Sequence, residues 1–184
     1  MDKPLTLNDI DEKVKNKIYT QKYNNHLILE GVKLIDLKTY VGEEGDFGEL
    51  IRTNDKGEIE ELPGFKIAQI NRTKLFPGSI KAWHLHFKQN EIWYVSPHRS
   101  LFVGLWDVRK NSSTVDQKSR IILGGGYSKL LFIPKGIAHG LANFSSANVE
   151  LYYFMDQQFN SESPDEQRID WDIDSKDFWS PKID

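Results

Sequence analysis

At 184 residues, with 39% hydrophobic and 12% aromatic side chains, the chain has enough apolar material for one folded domain with terminal extensions and too much for a disordered one. A net charge of −3 with scattered Lys and Arg argues against a nucleic-acid surface, because phosphate binding needs a basic patch. There are no cysteines, so disulfides, thiol catalysis and thiolate metal sites are excluded.

The start, Met1 to Asp9, is polar and lacks the apolar centre of a signal peptide. No apolar run approaches the roughly 18 residues that cross a bilayer. The expectation is a cytoplasmic protein without membrane or nucleic-acid partners. Leu7, Ile10, Val14 and Ile18 recur at helical spacing behind Thr6 or Asn8 as cap. This predicts a short amphipathic helix, packed on a sheet or a partner subunit, in an N-terminal extension over 1–26.

From Leu27 the pattern changes to short β-branched and aromatic runs separated by turn residues. Strands are expected at 27–38, 47–53, 65–71, 79–87, 91–96, 100–108, 119–124, 129–133, 138–144 and 148–155. The breaks carry turn chemistry, including Gly42 to Gly45, Pro77-Gly78, Gly124 to Gly126 and Pro134-Lys135-Gly136. Gly124 to Gly126 lacks the Lys-Ser/Thr of a phosphate loop and reads as a turn. Strands at this density without helices between them indicate an all-β sandwich or barrel over 27–159. A polar, acidic, irregular tail follows over 160–184, with Trp171 and Trp179 as docking points.

Two segments carry chemistry. In Gly78 to Glu91, residues two apart share a strand face, so His84 and His86 point together into the interior. Trp83, Leu85 and Phe87 fall on the other face and are expected in a second packing layer. Buried imidazoles must be hydrogen-bonded, metal-bound or used on a ligand. In Leu130 to Asn143, an apolar strand enters a Pro-x-Gly turn that re-aims the chain and sends His139 to the same interior.

Gly-x5-His-x-His-x4-Glu, at Gly78, His84, His86 and Glu91, resembles the first cupin motif. Its final glycine is replaced by His98. Pro-x-Gly-x2-His-x3-Asn, at Pro134, Gly136, His139 and Asn143, resembles the second. The resemblance implies a cupin jelly-roll, or double-stranded β-helix, around residues 66–155.

A closer resemblance is carried by Gln69-Ile70-Asn71, Lys81-Ala82-Trp83-His84, Asp107-Val-Arg109-Lys-Asn-Ser112-Ser-Thr114, Ile133 to Gly140, Tyr153, Trp171-Asp172 and Trp179-Ser-Pro181. The chain is similar to the dTDP-4-dehydrorhamnose 3,5-epimerase family, cupins that act without a metal on nucleotide-linked 4-keto sugars. Epimerisation beside a ketone needs a base, an acid on the opposite face and an electrophile near the oxygen. The resemblance implies His84 as base and Tyr153 as acid, with Tyr152 as rival. Gln69, Asn71, Lys81, His86, Arg109 and His139 would bind substrate, no cofactor would be needed, and the protein would be a homodimer exchanging residues 27–53.

The chain also departs from that pattern. Arg-Gly-x-His becomes Lys81-Ala-Trp-His84, and lysine lacks arginine's bidentate fork. Asp-x-Arg-Gly becomes Gly42-Glu-Glu-Gly45, and the family's lysine falls at Glu91 or Ile92. The aspartate that orients the histidine would have to be Asp172, Asp174 or Asp177. Two alternatives remain open. His84, His86, Glu91 and His139 suit Fe, Mn, Ni or Zn as a divalent metal site. A non-catalytic sugar-binding cupin is the other.

The bland readings are equally specific. His26 and His98 sit in polar turns as exposed histidines. Glu91 is read as a strand-edge carboxylate, Asp107 and Arg109 as a structural ion pair, and Asn143 as a structural hydrogen-bonder. Trp83, Trp93 and Trp106 are core or interface anchors.

Overall fold

The computed structural model describes residues 3–20, 28–173 and 175–182. Its strands, in chain order, are β1 (Lys33–Asp36), β2 (Thr39–Gly42), β3 (Gly45–Gly48), β4 (Gln69–Leu75), β5 (Ile80–Leu85) and β6 (Glu91–Tyr94). They continue as β7 (Ser100–Asp107), β8 (Lys118–Gly124), β9 (Lys129–Ile133), β10 (Ile137–Ala142), β11 (Val149–Met155) and β12 (Gln167–Arg168). Two antiparallel five-stranded sheets result, one in the order β1-β9-β6-β11-β4 and the other β12-β5-β10-β7-β8. β2 and β3 form a separate hairpin. This is the expected jelly-roll.

The interior between the sheets is divided. One end is filled by apolar side chains, among them Leu101, Val103, Leu105, Leu131, Ile133 and Leu141. The other end is open and polar, and the two motif histidine segments lie there. Each sheet is also covered outside. Ile59, Leu62 and Phe65 pack over Ile92 and Leu130 of the first sheet. Trp83, Phe102, Ala138, Ala142 and Trp179 form a cluster on the second.

Trp179 docks the tail, as its sequence predicts, and is 3% exposed. The reason lies in two strand glycines. Gly104 and Gly140 are register partners on β7 and β10, and a Cβ on either would come within 2.7 Å of the Trp179 ring. The indole fills the shallow trough that they leave.

Several expectations change. The N-terminal helix breaks into a 3-10 turn, Leu7–Asp9, and one helical turn, Glu12–Lys15. Thr6 and Asp9 form a capping box around the first, and Asp11 caps the second, so a new start interrupts the run. Leu7, Val14 and Ile18 are exposed rather than packed on a sheet. The strand expected at 47–53 stops at Gly48. Phe87 lies past the end of β5 and is exposed, unlike Trp83 and Leu85. Leu27, His26 and Asp174 lie outside the described residues. His98 is exposed, as expected.

The Asp107-to-Thr114 signature is a structural clamp. The Asp107 carboxylate is fully buried and accepts from Arg109 Nε at 2.9 Å and Nη2 at 2.7 Å. Ser112 Oγ and Thr114 Oγ1 donate to Oδ2, the oxygen that Nη2 also reaches, at 2.5 and 2.7 Å. Arg109 Nη2 also donates to the Glu30 carbonyl at 2.6 Å, stitching the N-terminal segment to this loop. Gly136, at φ 83°, passes so close to the Arg109 stem that a Cβ would lie 2.6 Å from it. Burial opposes ionisation of Asp107, yet these donors hold its pKa well below the carboxylate range. Asn143 is structural too: its amide donates to the Leu75 and Ala147 carbonyls.

Removing the carboxylate leaves a partly buried guanidinium and two hydroxyls without their acceptor. Asp107→Ala should therefore lower the urea unfolding free energy by about 3 kcal/mol. A loss below about 1 kcal/mol would contradict the clamp.

Candidate active site

Register carries the functional side chains into two facing rows. On the first sheet, Asn71 pairs with Tyr153 and Tyr153 with Trp93. On the second, Arg168 pairs with His84, and His84 with His139. The rows line the same cavity of about 710 Å³, a size that takes a small organic ligand. A flat substrate between them would meet His84 from one sheet and Tyr153 from the other.

Tyr153 and not Tyr152 faces the cavity. Tyr152 points outward and donates to Glu150 at 3.2 Å. Alternation along β11 separates the rivals, which the sequence left open. Burial, followed by the charges of Glu91 and Glu166, outweighs a hydrogen bond with Asn71 and raises the Tyr153 pKa. The phenol therefore keeps its proton.

His84 sits between two tail residues. Its Nδ1 lies 3.2 Å from Glu166 Oε1, and its Nε2 lies 2.7 Å from Arg168 Nη1. Arginine only donates, so Nε2 is an acceptor and the ring proton belongs on Nδ1, facing the carboxylate. Burial lowers the His84 pKa to about 4, aided by His139 and Arg168 and opposed by Glu166 and Glu91. The imidazole is neutral at pH 7. Glu166 is thus the carboxylate that faces its Nδ1. Asp172 is exposed, and Asp177 caps no histidine but belongs to the 3-10 turn Lys176–Trp179.

Glu91 forms the floor of the cavity and is a buried hub, not a strand-edge group. Its oxygens accept from Gln89 Nε2 at 2.7 Å and Trp93 Nε1 at 2.6 Å. They also face His86 Nε2 at 3.2 Å and His139 Nε2 at 3.6 Å. Burial works against its charge, but the His86 hydrogen bond, the two histidines and Trp93 bring its pKa to about 2. His86 Nδ1 donates to the Asp165 carbonyl. Burial disfavours its cation, yet Glu91 and Asp165 prevail and raise its pKa. His139 donates from Nδ1 to the Ile137 carbonyl at 3.0 Å, and burial lowers its pKa.

His86, Glu91 and His139 keep their candidate ligand atoms within 4.8 Å of one another, a geometry that a divalent ion fits. His84, expected as a fourth ligand, is not in this group, and Arg168 occupies its Nε2. The hydrogen-bonded Gln89 and Trp93 donors on Glu91 also suit a metal-free ion pair.

The remaining expected contacts separate. Asn71, Lys81, His86 and His139 line the cavity. Gln69 stands behind Asn71, donating to its Oδ1 at 3.0 Å and accepting from Phe159 N at 2.8 Å. It positions the wall rather than forming it. Arg109 lies outside the cavity, spent on Asp107 and Glu30. Trp93 lines the cavity, whereas Trp83 and Trp106 pack in the outer cluster.

Residues of the tail were missed. Asp165 accepts from the backbone N–H groups of Phe87, Lys88 and Gln89, fastening the tail across the cavity mouth. Glu166 and Arg168 follow. Their signal was an i,i+2 charge pair, which shares one face of an extended segment.

The fold and site define a cupin-type jelly-roll with a neutral histidine and a protonated tyrosine across one cavity. The dTDP-4-dehydrorhamnose 3,5-epimerase family model matches residues 26–179. The chain belongs to that family and is an enzyme of the sugar-nucleotide epimerase type. It is 34% identical to the Bacillus subtilis (strain 168) spore coat polysaccharide biosynthesis protein SpsL over 85% of this chain and 99% of that one. It is 26% identical to a probable low-salt glycan biosynthesis epimerase, Agl13, of Haloferax volcanii, over 78% and 89%. A solved structure of the Legionella pneumophila dTDP-6-deoxy-D-glucose-3,5-epimerase, in complex with dTDP-4-keto-L-rhamnose, matches with a TM-score of 0.67 and 26% identity, covering 83% of each chain.

The protonation states make stability pH-dependent. An unfolded chain protonates His84 near 6.5, whereas the folded site resists until about 4. Folding stability should be full above 6.5 and fall by on the order of 2 kcal/mol toward pH 4. His139, lowered by burial, adds to this loss, and His86, with its raised pKa, opposes it. Urea unfolding at pH 7 and pH 4.5 tests it: His84→Gln should reduce the loss, and an equal loss in variant and wild type would refute the assignment.

Proposed function

We propose that the protein epimerises carbon adjacent to the keto group of a nucleotide-linked 4-keto-6-deoxy sugar, with His84 as base and Tyr153 as acid. The observation that carries this reading is their placement on opposite sheets of one cavity in matching protonation states. The 4-keto group acidifies the neighbouring C–H bonds. His84 Nε2 removes the proton, and the Tyr153 hydroxyl returns one to the opposite face. Lys81 at the rim, donating to Thr73 Oγ1 at 2.7 Å, supplies positive charge for the nucleotide phosphates. Asn71 and His139 line the sugar end.

The reaction needs no resident metal in this reading. His86 and Glu91 act as an ion pair that closes the cavity floor. A single experiment tests chemistry and metal together. The enzyme should wash solvent deuterium into C3 or C5 of dTDP-4-keto-6-deoxyglucose. His84→Ala should abolish this, and Tyr153→Phe should permit exchange while blocking inversion. Wild-type activity should survive chelator, and protein purified without chelator should carry substoichiometric metal. Stoichiometric metal that disappears in His86→Ala would favour the divalent-metal reading instead.

The same reading includes a homodimer formed through the N-terminal strands. Tyr40, Val41 and Phe47 of the β2–β3 hairpin are 62%, 83% and 67% exposed, an apolar surface that a second copy would cover. Light scattering should give twice the chain mass, and Val41→Asp with Phe47→Asp should shift it to the monomer. A monomeric wild type would remove this element.

A further inference from the structure

The guanidinium of Arg168 touches the atom of His84 that has to act as base. Nη1 donates to Nε2 at 2.7 Å, and Nη2 donates to Glu166 Oε1 at 2.6 Å. The same carboxylate oxygen faces His84 Nδ1 at 3.2 Å. Base, carboxylate and guanidinium therefore form a closed ring. No substrate C–H can reach Nε2 until Arg168 leaves it.

Arg168 is built to leave. It belongs to a two-residue edge strand, and its side chain is 57% exposed. Moving the guanidinium breaks two hydrogen bonds but opens no packed core. Its destination follows from ketone geometry. The carbonyl oxygen of a ketone lies roughly 2.4 Å from the carbon that loses the proton. A donor that starts in contact with Nε2 is then one small rotation from that oxygen once the C–H has taken its place.

Among the described cavity-lining residues, the other positive groups are committed or remote. Lys81 is held by Thr73 at the rim, and Lys88 is exposed beyond the end of β5. His86 is paired with Glu91 on the floor. Glu91 is an anion and offers nothing to a developing enolate.

We propose that Arg168 is the catalytic electrophile: its guanidinium caps the base in the free enzyme, transfers to the keto oxygen as substrate enters, and stabilises the enolate. This rests on the epimerase reading above. His84 Nε2 takes the proton, and the C–H electron pair becomes the C=C bond. The carbonyl π pair moves onto oxygen, where the Arg168 N–H groups bind it. Tyr153 then protonates the carbon from the other face, the C=O bond re-forms, and the tyrosinate regains a proton from solvent as imidazolium returns one. A guanidinium suits this task because it stays charged and presents parallel donors.

Deuterium wash-in with dTDP-4-keto-6-deoxyglucose tests the proposal in the full-length protein. Arg168→Gln should lower kcat at least a hundredfold with KM within a few-fold, and Arg168→Lys should recover part of the loss. Added guanidinium ion should rescue Arg168→Ala, since the side chain leaves an accessible gap. Loss of this cation should also move the acidic limb of kcat/KM to higher pH. The other groups facing His84, namely Glu166 immediately before β12, His139 on β10 and Glu91 on β6, stay in place. A purely structural residue would shift neither the limb nor respond to guanidinium. Wild-type exchange together with an Arg168→Gln kcat within threefold of wild type overturns the proposal alone. So does a loss that neither lysine nor guanidinium restores. Absence of exchange in the wild type overturns the epimerase reading and this proposal with it.

Discussion

A buried, ionised carboxylate governs this site. Glu91 is 4% exposed, and its charge persists because Gln89, Trp93 and His86 surround it with donors. An uncompensated charge in that position would be prohibitive. Its demands fix much else. His86 has to be charged, so its Nδ1 needs an acceptor, which the Asp165 carbonyl provides. Asp165 in turn is tied to three backbone N–H groups beyond β5, and that tie carries the tail over the cavity. Glu166 and Arg168 arrive at His84 as a consequence.

The arrangement separates the three motif histidines by role. His86 faces an acceptor at each ring nitrogen on the floor, His139 is a neutral wall, and His84 is neutral and held by its tail partners. Residues of one type, within a few ångströms, differ because their ring nitrogens face different atoms. The aromatic layer outside the second sheet holds this geometry steady. Trp83 alternates with His84 on β5, and its ring lies 4.6 Å from that of Trp179. Docking of the tail and orientation of His84 are therefore coupled through adjacent residues.

Much of this was legible in the sequence. Two-residue spacing put His84 and His86 on one face, and the Pro-x-Gly turn sent His139 to meet them. Nearly every strand from Gln69 to Met155 was anticipated, because turn residues bracket apolar runs of the right length. The N-terminal helix was misread, since periodicity cannot reveal that Asp11 restarts the helix after a capped turn. Arg109 reads as a substrate contact from the family resemblance and as half of an ion pair with Asp107 from its own sequence. Burial of Asp107 separates the two.

By itself, then, the sequence determined an all-β sandwich or barrel and the histidine pair on one strand face, which follow from local periodicity and turn chemistry, and its resemblance to the cupin motifs implied the jelly-roll. Only the tertiary structure decided that Tyr153 faces inward while Tyr152 does not, that Glu166 faces His84 Nδ1, and that Arg168 covers its Nε2. These choices depend on strand register and on contacts spanning more than 80 residues, from His84 to the tail. A charged, aperiodic segment such as 160–168 carries no local signal of where it will land. Its position is set by the unmet hydrogen-bonding of the site it closes.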